Sequence, residues 1–214
     1  MATETTPRVG VDGRNARASR TRRAVVSALL ALIEDGDLRP TARRVADRAG
    51  VSLRSVYVHF DDLEDLFRAA AEQQFRKISE LVVPLATEGP LDARLDAFVD
   101  QRVKVLESGA AVRRAAVVQA PASPTLARVL DMSRRAGRVE TERVFHIELD
   151  RLDAPARREL LAALVTIASG GTWESLRVGE GIDATTARGV MHRMLRGVLE
   201  QSDRGRGSPG SRPI

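Results

Sequence analysis

Apolar residues recur three and four apart along nearly the whole chain, and no stretch shows the period-two alternation of a half-buried strand. In residues 16–34, Val25, Val26, Leu29, Leu30, Leu32 and Ile33 form one helical face that stops at Gly36 and Asp37. Thr41, after Pro40, is placed to cap a short helix ending at Ala49, with Val45, Ala46 and Ala49 inward, and Gly50 breaks it. Ser52 opens a second short helix, 53–60, in which Val56 and Phe60 fall one turn apart. Asp62 and Asp65 then start a helix expected to run to about Val83, before Pro84. Turn-forming clusters separate five further helices, expected at 91–107, 110–119, 124–150, 155–177 and 184–200.

This pattern predicts an all-α fold. A disordered arm (1–14) precedes an N-terminal three-helix domain with a helix-turn-helix (15–61). A C-terminal helical ligand-binding and dimerisation domain (62–200) follows, then a disordered tail (201–214).

The two short helices joined by Ala-Gly-Val-Ser have the proportions of a helix-turn-helix, whose second helix enters the DNA major groove. With Val45, Ala49, Val51, Val56 and Phe60 inward, the residues left outward are Leu53, Arg54, Ser55, Tyr57 and Val58. Arg54 has the fork that pairs with guanine, and Ser55 bonds to base or phosphate. Tyr57 carries a hydroxyl on a rigid ring, suited to a phosphate, and the His59 ring N–H serves the same purpose. Charge agrees with this reading. Residues 1–60 hold 11 arginines against 6 acidic residues, although the whole chain of 214 residues has a net charge of only +5.

Residues 41–67, TARRVADRAGVSLRSVYVHFDDLEDLF, resemble the DNA-binding signature of the TetR family of bacterial transcription regulators. The resemblance rests on the threonine that opens the second helix, the AGVS turn, the Tyr-x-His-Phe ending and the acidic, leucine-containing fourth helix. It implies phosphate contacts for Thr41, Tyr57 and His59, and base contacts for Arg43, Leu53, Arg54 and Ser55. The family often has a lysine at the start of the fourth helix, where this chain has Leu63 among acidic residues. Arg14, Arg17 and Arg20, with Arg22 and Arg23 beyond them, are candidates for a minor-groove arm.

A reader this small requires two copies to specify an operator, so double-stranded DNA and a second copy of the chain are the expected partners. Two wide apolar stripes are candidates for the dimer interface. One contains Leu161, Leu164, Val165 and Ala168, and the other Val190, Met191, Met194, Leu195 and Val198. Similar regulators hold an effector among their central helices. Phe98, Val105, Val117, Gln119, Met132, His146 and Trp173 are the expected wall of such a pocket, for a small hydrophobic effector.

Composition removes other classes. The chain has no cysteine, and its three histidines (59, 146 and 192) lack metal-ligand spacing, so neither a metal nor a cofactor is expected. No acid, base or nucleophile set converges, so catalytic residues and an enzyme are not expected. No apolar run approaches the roughly 18 residues of a membrane span, and the N-terminus lacks a signal-peptide core. The expectation is a cytoplasmic regulator, most readily a ligand-responsive repressor; the alternative is a DNA-binding regulator governed by a protein partner or its own abundance.

Overall fold

The structure, a computed structural model, describes the backbone of residues 9–204 and the side chains of residues 15–202. Its helices are α1 (Val9–Glu34), α2 (Ala42–Ala49), α3 (Leu53–His59), α4 (Leu63–Ser79), α5 (Leu91–Ser108), α6 (Ala110–Gln119), α7 (Pro124–Val144), α8 (His146–Leu149), α9 (Ala154–Ile167), α10 (Gly170–Glu174) and α11 (Ala184–Arg204). A 3-10 turn, Ala120–Ala122, precedes α7, and a π-turn, Ser175–Gly179, follows α10. No strand occurs among the described residues, as the periodicity predicts. Residues 9–14, expected in a disordered arm, continue α1, and residues 201–204 continue α11. The remainder of the arm and tail lies outside the described residues.

The chain forms two compact units. Unit 1 comprises residues 1–75 and 114–128, and unit 2 comprises residues 76–113 and 129–214. The boundary therefore falls inside α4, α6 and α7, and not at the expected 61/62 junction.

Unit 1 is built on the apolar face of α1, where Val25, Val26, Leu29 and Ile33 are buried. Val45 and Ala46 of α2, Val56 of α3, Phe60, and Leu66 and Phe67 of α4 are buried with it. The start of α4 is tied into this unit by two carboxylates. Asp62 caps α4 through Oδ1, which accepts from the Asp65 N–H at 2.8 Å. Glu64 accepts the Thr125 N–H at 3.1 Å and so caps the first turn of α7. Burial pushes the Glu64 carboxyl up, but hydrogen bonds from Ser123 and Thr125 and the charge of Arg128 outweigh it and hold the pKa below its ordinary value.

Unit 2 buries a single core of Leu95, Phe98, Val99 and Leu106 from α5, Phe145 and Leu149, Leu160, Leu161, Leu164 and Ile167 from α9, Trp173, and Met191, Leu195 and Leu199 from α11. The Phe98 and Phe145 rings meet edge to face, with centroids 5.1 Å apart. Outside this core, Asp92 pairs with Arg196 at 2.7 Å, Asp96 with His192 at 3.2 Å and Asp100 with Arg188 at 2.6 Å, joining α5 to α11 at the surface.

Three expected helices are shorter or divided. The helix beginning at 62 ends at Ser79 and not at Val83, because Val82 and Val83 precede Pro84 and the Val83 N–H donates to Gln101 Oε1 at 2.7 Å. The expected 124–150 helix is interrupted at buried Phe145, whose φ of −106° and ψ of 23° leave the helical region. The expected 155–177 helix breaks after Ala168. There Ser169 Oγ accepts from the Thr172 N–H at 3.1 Å and caps α10 anew.

The Glu64 cap has a testable consequence. Because the folded pKa is depressed, its stabilisation is complete above about pH 4.3, the ordinary glutamate value, and is lost as pH falls through the lower folded value. Glu64→Ala is expected to lose about 0.5–2 kcal/mol of stability at pH 7. The difference from the parent should shrink in acid, as read by urea unfolding across pH.

Candidate nucleic-acid interface

The turn between α2 and α3 is held by backbone geometry. Gly50 adopts φ 66° and ψ 33°, the left-handed conformation, and its N–H bonds back to the carbonyls of Ala46 and Asp47. The Val51 N–H also reaches the Ala46 carbonyl, at 3.0 Å. This closes α2 and turns the chain toward α3, which Ser52 caps by accepting the Ser55 N–H at 3.0 Å. At the other end of α2, Thr41 Oγ1 accepts the Arg44 N–H at 3.3 Å. A hydroxyl so used still carries a proton to donate.

Beneath α3, Val56 and Phe60 are each 2% exposed. The Arg22 guanidinium of α1 lies 4.6 Å from the Phe60 ring centroid, a cation–π contact that covers the end of α3. Above α3, Tyr57 is 52% exposed and Val58 69%. Arg54 is exposed, while Leu53, Ser55 and His59 are half-buried. Among the described residues, Arg54 has no ion pair or hydrogen bond.

The arginines of α2 differ in how they are held. Arg44 is paired to Asp37 at 2.7 Å and Arg48 to Asp35 at 2.9 Å, which ties α2 to the loop after α1. Arg43 has only a loose contact to Asp47, at 3.8 Å, with both side chains well exposed. It is therefore the least restrained arginine of this helix. Thr41 is exposed beside it. Arg17 and Arg20 are exposed on α1, whereas the Arg14 side chain lies outside the described residues. The roles of Arg22 and Phe60 as a stacked pair were not foreseen; the two are 38 positions apart in sequence, with only their residue types as a signal.

The other expected sites are dispersed. Phe98 and Trp173 lie in the unit 2 core, Val105 is half-buried and Met132 is exposed. His146 sits 3.4 Å from Glu88 through Nε2, and its Nδ1 is 3.2 Å from the Arg143 carbonyl. Val117, exposed, and Gln119 belong to unit 1. Neither unit brings the seven together. In the expected dimer stripes, Leu161, Leu164, Ala168, Met191 and Leu195 are buried within unit 2 itself. A side chain enclosed by its own chain offers a partner no surface. Val165, Val190, Met194 and Val198 remain at least partly exposed.

No described helix is long and apolar enough to cross a membrane, and no cluster of described residues has the donors for a metal ion.

Residues 25–70 match the family described as "Bacterial regulatory proteins, tetR family". No curated protein matches the chain. Among solved structures, the chain is similar to a transcriptional regulator from a Rhodococcus species, with TM-score 0.64 and 19% identity over 86% of this chain and 96% of that one. It is also similar to a TetR transcription regulator from Haloarcula marismortui, with TM-score 0.61 and 20% identity over 86% and 98%. A third is the multidrug binding protein EbrR complexed with imidazole, with TM-score 0.54 and 21% identity over 81% and 93%. At these identities the likeness is one of fold.

The turn carries its own prediction. A Cβ at Gly50 meets nothing within 4 Å, so Gly50→Ala imposes backbone strain alone. It is expected to lose about 1–2 kcal/mol of stability in denaturant unfolding, with no change in the denaturant dependence.

Proposed function

From a chain whose DNA-binding segment is that of the tetR family of bacterial regulatory proteins, we propose a repressor that binds a palindromic operator as a homodimer and releases it when a small effector occupies unit 2. The observation that carries this reading is α3. Its buried face is fixed by Val56 and Phe60, while Arg54, Tyr57 and Val58 stand exposed on the other side. A solvated helix has no need of a half-exposed phenol beside an unpaired arginine, whereas a groove-reading helix uses both.

On this reading Arg43, Leu53, Arg54 and Ser55 face bases, and Thr41, Tyr57 and His59 hold phosphates. Arg17 and Arg20 extend the basic surface along α1, with Arg14 before them. Each subunit reads one half-site, and the spacing of half-sites follows from the dimer. Val165, Val190, Met194 and Val198 are the apolar side chains left to build the dimer contact. An effector changes operator affinity only by the difference in its own affinity for the DNA-binding and released arrangements. The solved structure of a multidrug binding protein with a bound small molecule supports a ligand in a fold of this kind. Of the three helices that the unit boundary divides, α4 is the proposed link between effector and reader.

Binding of the full chain to the DNA upstream of its own coding sequence tests this. Arg54→Ala is expected to lose about 1–3 kcal/mol of discrimination at its base position. Tyr57→Phe should weaken specific and non-specific duplexes alike. Unchanged binding in both variants contradicts the proposal.

A further inference from the structure

The inward stripe of α5 contains Leu95, Phe98, Val99 and Leu106, all buried, and the position that completes it is the half-buried Arg102. An arginine on a core stripe requires compensation for its charge. Unit 2 shows how it supplies that elsewhere. Arg94, on the same helix and 3% exposed, has both Nη groups on the Glu148 carboxylate, Nη1 on the Val144 carbonyl at 2.6 Å and Nε on the Gly89 carbonyl at 3.2 Å.

Arg102 is treated differently. Its Nε donates to the Ala168 carbonyl at 2.7 Å, at the C-terminal end of α9. Among the described residues, no carboxylate lies within ion-pair distance of it, and its two Nη groups have no hydrogen-bond partner. They lie against the backbone of α7 at Gly137, where an added Cβ would stand 3.1 Å from Nη2 and 3.4 Å from Nη1. Burial pushes the Arg102 guanidinium down to about 10, and the positive charge of Arg113 acts in the same direction. The acid in this region, Glu107, is committed elsewhere, accepting from Trp173 Nε1 at 2.7 Å and Arg177 Nε at 3.0 Å. One arginine of the unit thus has a complete internal counter-ion and the other has a prepared fork without one.

We propose that Arg102 is the recognition residue for a small organic carboxylate, whose charged head pairs with the Nη groups beside Gly137. The inference deepens the ligand-responsive reading and rests on it for its regulatory meaning. A planar carboxylate matches the two parallel N–H bonds that a guanidinium offers, and one negative charge neutralises the one that the protein leaves uncompensated. The expected hydrophobic effector therefore acquires an acidic head.

The test uses the full chain, with benzoate and hexanoate as probes and benzamide and hexanamide as their uncharged counterparts. Binding is read by calorimetry and by fluorescence of Trp173, the only tryptophan. The carboxylates are expected to bind at least about tenfold more tightly than the amides, and Arg102→Gln to abolish that preference. Unfolding of the ligand-free protein gives an independent reading. Arg102→Met should be no less stable than the parent, because it removes an uncompensated charge, whereas Arg94→Met should be clearly less stable. Equal binding of acids and amides, carboxylate binding that survives Arg102→Gln, or destabilisation by Arg102→Met as large as that by Arg94→Met each overturns the proposal. Operator binding separates the two claims. Carboxylates that bind through Arg102 without altering operator affinity uphold the site and contradict ligand-responsive repression. A neutral compound that releases the operator while the carboxylates fail to bind upholds that repression and overturns the site.

Discussion

The burial of Phe60 beneath α3 is the contact on which the DNA-facing chemistry depends. A seven-residue helix has too few internal hydrogen bonds to persist alone, so its orientation must come from packing. Val56 and Phe60 supply that packing from below, and Arg22 covers the Phe60 ring from α1. With that face fixed, the remaining positions have no freedom to choose sides. Arg54, Tyr57 and Val58 are exposed because the helix period places them there, and the left-handed Gly50 sets the direction in which they point.

Unit 2 is governed by a different constraint, the placing of charge within an apolar helical core. Arg94 is neutralised by Glu148 and capped by two carbonyls. Glu107 gathers Trp173 and Arg177. Arg102 takes the Ala168 carbonyl, and α9 ends there although its apolar pattern continues toward Leu176. Breaks in the helices of this unit fall where Ser169 caps α10 anew and at the buried Phe145.

The contrast explains what was legible in the sequence. The helix-turn-helix was readable because its signals are local: Thr41, Gly50, Ser52 and Asp62 each act within one turn of themselves, and the period then assigns the faces of α3. The long distal segments read as continuous because their apolar spacing is continuous. Only Ser169-Gly170-Gly171 signalled the break between α9 and α10. The width of the stripes on α9 and α11 suits a dimer face, yet Leu161, Leu164, Met191 and Leu195 are buried in the core of one chain. A stripe records how much of a helix is covered and not by whom. Pairings such as Glu64 with Thr125 or Arg94 with Glu148 join positions far apart in sequence and have no periodic signature.

The central claim is that α3, set by its buried face, reads a DNA sequence. Its most direct test is the affinity of the full chain for the DNA upstream of its own coding sequence against a shuffled duplex of equal length and composition, at one fixed salt concentration near physiological. The account predicts a preference of at least about a thousandfold for the natural sequence. Equal affinity for the two duplexes would contradict it.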